Sequence, residues 1–148
     1  MSTISTKHEY RAPSDVIENE VERLRVAVPK AALVVDSSPL LGTWINCDHE
    51  TRGLVRVMIA AKASEITVHA FGACSPTPCD WGAVNGTIYA ASVATTPAVG
   101  FTANYNFSFK QTLVVGHLFN GALIVETYDH FTDQSGRADY YSMNVMSK

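Results

Sequence analysis

The sequence is poor in charge and in cysteine, and it holds no long apolar run. Asp, Glu, Lys and Arg together make up 17% of its 148 residues. No stretch reaches the ~18 consecutive apolar residues of a membrane span. The opening residues, Met1 to Asp15, show no basic region followed by an apolar run. A secretory leader is therefore not expected, and the expected address is cytoplasmic. Three cysteines are too few for a disulfide framework. A net charge of -3 argues against a nucleic-acid or membrane partner held by charge alone. The one dense basic patch, Arg23 to Arg25, is balanced by Glu18, Glu20 and Glu22. There is no G-x-S-x-G, no H-E-x-x-H and no Gly-rich phosphate loop leading into a helix. Internal repeats and low-complexity tracts are also missing.

What is present is apolar surface: hydrophobic residues make up 47% of the chain. A chain of this length buries roughly 70% of its unfolded surface, so it folds without staples. Charge is unevenly spread. Glu18 to Arg25 is dense in it, while Ala83 to Ser108 carries none. That contrast divides an N-terminal arm, residues 1–38, from a body, residues 39–148.

In the arm, Asp15 and Glu18 have capping-box spacing. Ile17, Val21, Leu24 and Val28 fall on one stripe, and Pro29 cannot continue a helix. A helix is expected from about Asp15 to Val28. Its stripe packs on the body or pairs with another copy of the chain.

From Leu40 onward the period becomes two. Strands are expected at Leu41 to Cys47, Leu54 to Ala60, Ile66 to Phe71 and Ala83 to Ser92. Four more are expected at Phe101 to Lys110, Thr112 to Phe119, Ala122 to Phe131 and Arg137 to Met146. Asn120-Gly121 between two of them is a two-residue hairpin signal. The links are too short for parallel crossovers, so neighbours pair antiparallel. A meander of about eight strands removes its edges by closing, and the closed form holds side chains or one small ligand. The expected fold is all-β, an up-and-down antiparallel barrel preceded by one helix. A two-sheet sandwich is the alternative.

The segment Leu40 to Asn46 (LLGTWIN), on the first strand, resembles the opening strand of the calycins: lipocalins, fatty-acid-binding proteins and avidins. In those families a Gly-x-Trp, here Gly42 and Trp44, sits where the strand enters the barrel. Glycine permits the bend, and the indole closes one end. Lipocalins often lay an arginine from the end of the last strand across that ring. Here the only arginine of the last strand is Arg137, at its start. The run Cys74 to Gly82 (CSPTPCDWG), with His69 and Thr51 to Gly53, resembles small bacterial β-domains carrying C-x-P-T-x-C-D-W-G. That likeness implies a shared fold and says little about activity.

Two prolines stiffen the loop between Cys74 and Cys79. A structural loop or local disulfide, a reactive thiol and a zinc site are all open to it. Cys47, His49, His69, Cys74 and Cys79 are zinc-ligand types, but their spacing is wrong for paired knuckles, and no metal or other cofactor is expected. Trp81 covers the barrel mouth or forms a wall of a pocket. Glu126, Tyr128 and His130 share one face of the seventh strand with Ile124, which fits a lining that is dry at one end and polar at the other. It fits equally a strand leaving the core.

Three functions follow. The first is a module binding a small apolar or aromatic ligand, walled by Trp44, Trp81, Tyr105, Phe107, Tyr128 and Tyr140. The second is a cofactor-independent isomerase or cyclase using His, Tyr and Glu groups, with His130, Glu126 and His69 as candidates. The third is a solid barrel that acts as an interaction protein through its helix. Self-association through the helix or the barrel faces is open in each, because fold alone does not choose among them.

Overall fold

A computed structural model describes residues 33–148. The helix expected at Asp15 to Val28 lies outside the described residues. A 3-10 turn, Ser38–Leu40, leads into eight strands: β1 (Gly42–Asn46), β2 (Leu54–Lys62), β3 (Glu65–Gly72), β4 (Cys79–Ala90), β5 (Ala98–Asn106), β6 (Lys110–Phe119), β7 (Ala122–Phe131) and β8 (Tyr140–Ser147). Each pairs antiparallel with the next. β8 returns to β1 through Ile45↔Ser147 and Asn46↔Met146, which closes the barrel. No helix among the described residues is long and apolar enough to cross a membrane.

Several strand ends differ from expectation, β5 for example starting at Ala98 rather than Phe101, and three of the differences have a local reason. β4 starts at Cys79 rather than Ala83, because Cys79 and Asp80 already pair with Gly72 and Phe71. β5 stops at Asn106 rather than Lys110, because the chain turns there: the Phe107 amide donates to the Lys110 carbonyl at 2.8 Å. β8 starts at Tyr140 rather than Arg137. The preceding residues are held in a turn in which Arg137 and the Ser135 amide both donate to Asp133.

Alternation puts one residue in two inside. Val57, Ile59, Ile66, Val68, Phe101, Ala103, Val114, Leu123, Val125 and Met146 are buried together. An irregularity between Leu54 and Arg56 lets both Leu54 and Val57 turn inward, and Val55 drops out of the inner row. A Cβ on Gly116 would meet the Phe101 ring at 2.2 Å, so only glycine leaves room for that ring.

One end of the barrel is shut. Trp44 is 3% exposed, and its indole N–H donates to the Leu40 carbonyl at 2.9 Å. The Lys148 ammonium, just past β8, lies 5.0 Å from the Trp44 ring centroid. The cation over this tryptophan thus comes from a lysine at the end of the last strand; Arg137 lies elsewhere. The Asp36↔Pro97 bridge fastens the entering chain to the segment before β5.

The seam between β8, β1 and β2 is polar and satisfied. Asn144 donates to the Val125 carbonyl, and its own oxygen accepts from Asn46 and from the Leu54 amide. Asn46 also donates to the Leu54 carbonyl at 2.8 Å. Buried amides are tolerated when each polar atom finds a partner, and these two lock the closing register.

Candidate functional site at the open mouth

The opposite end is hollow. A cavity of about 450 Å³ opens there, bounded by the β1–β2 link (Arg52, Gly53), the β3–β4 loop and the upper ends of β6 to β8.

Its aromatic wall is built by a bulge. His69 pairs with Ala83 and Phe71 with Asp80, so Trp81 and Gly82 together stand opposite the single residue Ala70. Gly82 has a φ of +85°, which favours glycine. The bulge deprives backbone groups of ladder partners, and the Tyr105 hydroxyl replaces them. It accepts from the Ala70 amide at 3.1 Å and lies 2.7 Å from the Gly82 carbonyl and 3.0 Å from that of Val68. Burial pushes the Tyr105 pKa up, so the phenol stays protonated. Trp81 then stands edge-on to Tyr105 and Phe107, both at 5.4 Å, and these two rings stack on each other. Trp81, partly buried, is thereby given a fixed orientation.

The polar side is built by β6, β7 and β8. Asp129 is 4% exposed. Its Oδ1 accepts from the Thr112 hydroxyl at 2.5 Å and lies 2.9 Å from the Lys110 ammonium. Lys110 in turn sits 5.5 to 5.8 Å from the ring centroids of Trp81, Phe107 and Phe109. One charged pair therefore ties the polar wall to the aromatic one. Deeper in, the hydroxyls of Thr127 and Ser142 are 2.5 Å apart. Tyr140, the register partner of Asp129, stands at the rim. Cys74 and Cys79 are joined by a disulfide, and both line the cavity. Cys47 is free and exposed.

No family model, no curated protein and no solved structure matches this chain. The arrangement of the site therefore has to be interpreted from its own chemistry.

The residues singled out in the sequence are distributed unequally. Trp81 and Tyr140 line the cavity, and Tyr105 and Phe107 hold Trp81 from behind. Trp44 closes the far end. Tyr128, half exposed, lies on the outer wall against Tyr141. The three candidate acid–base groups also face outward. His69 Nε2 lies 2.5 Å from Asp80, and its ring stacks on Phe71, which Arg56 covers in turn. His130 Nδ1 lies 2.8 Å from Asp139. Glu126 accepts from the Tyr141 hydroxyl at 2.6 Å. That bond pushes the Tyr141 pKa up to about 12, because ionising the phenol would set two negative charges side by side. The His69 and His130 contacts hold the carboxyls of Asp80 and Asp139 below their usual range.

β7 thus presents the face opposite to the one that drew attention: Leu123, Val125, Thr127 and Asp129 are buried. That row also runs from apolar to polar along the strand. Lys110, Thr127, Asp129, Ser142 and Arg52 are not among the site residues expected from the sequence. The signal for Thr127 and Asp129 was their period-two continuation of Leu123 and Val125. Among the described residues, no three His, Cys, Asp or Glu side chains gather as a metal site, and Cys47, His49, His69 and the bridged pair do not form one.

Proposed function

We propose that this chain is a calycin-like barrel that binds a small molecule, and that the ligand occupies the mouth rather than the depth of the barrel. The observation that carries this is the asymmetry of the two ends. Trp44, Leu40 and Phe101 fill one. The other leaves about 450 Å³ between a fixed indole and a set of polar groups. Ligand sites in proteins have this size and this mixture of apolar wall and few oriented polar groups. The calycin likeness gains from Trp44 at the closed end with a cation across its ring. Binding is favoured over acid–base catalysis because His69, Glu126 and His130 all lie on the outer wall, away from the Thr127–Ser142 floor. The mixed lining suits a ligand with an apolar ring and at least one polar group.

Native mass spectrometry of the purified protein tests this. A retained small molecule is expected on the wild-type chain and its loss on Trp81→Ala. A bare mass under gentle ionisation, together with no thermal protection by a small-molecule library, would contradict it.

A further inference from the structure

We infer that the mouth selects a small anion, a monocarboxylate carried on one apolar or aromatic ring. This rests on the mouth being the binding site, and it follows from the charges there. The lining holds two cations, Arg52 and Lys110, and one carboxylate, Asp129. Lys110 and Asp129 neutralise each other at 2.9 Å. Arg52 has no ion-pair partner among the described residues. Among the described residues the mouth therefore carries one uncompensated positive charge, on the side chain best shaped to grip a carboxylate with two parallel N–H donors.

A cationic ligand is disfavoured by the same geometry. Among the described residues Asp129 is the only carboxylate in the lining, and its Oδ1 already receives both Lys110 and Thr112. A ligand amine would have to compete with a partly buried lysine for it. A neutral ligand would satisfy the walls and leave Arg52 unused. The apolar surface is the Trp81 indole, Leu54 and the Tyr140 ring. Thr127 and Ser142 at the floor offer hydroxyls to any polar substituent at the far end of the ring. Arg52 is exposed and also borders the shallow hollow beside Ala73 to Ser75, so this residue belongs to the rim and not to the floor. The carboxylate is thus the outer end of the bound molecule, and the ring points inward.

Isothermal calorimetry with three matched probes tests the assignment: phenylacetate, 2-phenylacetamide and phenethylamine. Phenylacetate is expected to bind about tenfold or more tightly than the amide, and the amine most weakly, because a charge-assisted pair is stronger than its neutral counterpart. Arg52→Gln is expected to bring the acid down to the affinity of the amide and leave the amide unchanged. Equal affinity of acid and amide, or tightest binding of the amine, overturns the anion assignment while the mouth stands as a binding site. An undiminished preference for the acid in Arg52→Gln overturns the role of Arg52. Heat from none of the three overturns both the assignment and the site.

Discussion

A methyl group at Gly72 would sit 2.9 Å from Nε1 of Trp81, which makes this glycine the seat of the cavity's main wall. Gly72→Ala is expected to tilt the indole, weaken ligand binding and destabilise the fold by about 1–3 kcal/mol, the range for overpacking. Binding titration and urea denaturation would check both effects. Tyr105 is the second position where one atom decides much. Tyr105→Phe keeps the ring and removes the hydroxyl, leaving the Ala70 amide and the Gly82 carbonyl without that partner. A loss of about 1–3 kcal/mol is expected, the desolvation cost of stranded buried polar groups, with the tryptophan emission shifting as the bulge relaxes. Stability unchanged by this substitution would show that the bulge holds itself. On the outer wall, Glu126→Gln is expected to lower the Tyr141 pKa from about 12 toward the ordinary 10.0. Ultraviolet titration of phenolate absorbance would show it.

At the scale of elements, the β3–β4 loop matters more to the site than to the fold. Its disulfide closes a short ring, and the loop-entropy relation gives a stabilisation of only about 2 kcal/mol for it. Cys74→Ser with Cys79→Ser is therefore expected to lower the melting temperature by several degrees and to weaken ligand binding out of proportion, because both residues line the cavity. Thermal unfolding compared with calorimetry separates the two effects. The strands themselves were legible in the sequence. Their period of two is unbroken from Phe101 to Asn106 in β5, and Asn120-Gly121 makes its turn with both residues at positive φ, as that dipeptide favours. What could not be read was which face of β7 looks inward. The outer wall carries Ile45, Tyr128, Tyr141, Met143 and Val145 exposed to solvent. With apolar residues on both faces, alternation fixes the strand but not its side. The bulge at Trp81 was equally hidden, since proline and cysteine beside it read as loop.

At the scale of the whole molecule, closure explains why a chain with 17% charged residues needs few ion pairs to hold its shape. The acid sensitivity of the fold comes from its turns and outer wall. Hydrogen bonds from Ser135, then Arg137, lower the Asp133 pKa to about 2 from an ordinary 3.8, and Asp80 and Asp139 are lowered by their histidines. A carboxyl with a depressed folded pKa stabilises fully above its unfolded value and loses that stability as pH falls through the folded one. The melting temperature is expected to hold steady as pH falls from 7 toward 4 as far as these carboxyls govern it, then to fall between about 4 and 2. Asp133→Asn should flatten part of that fall. The barrel was readable from sequence because closure needs only period and short links. The site was not, because Arg52 on the β1–β2 link meets Lys110, Asp129 and Ser142 only once β8 has returned to β1.

The most direct test of the ligand's place is a map of backbone amide shifts on adding phenylacetate to the labelled protein. Shifts confined to residues 52–54, 72–81 and 110, and to the upper ends of β7 and β8, are the result this account predicts. Shifts centred on Trp44, Leu40 and Phe101 would contradict it.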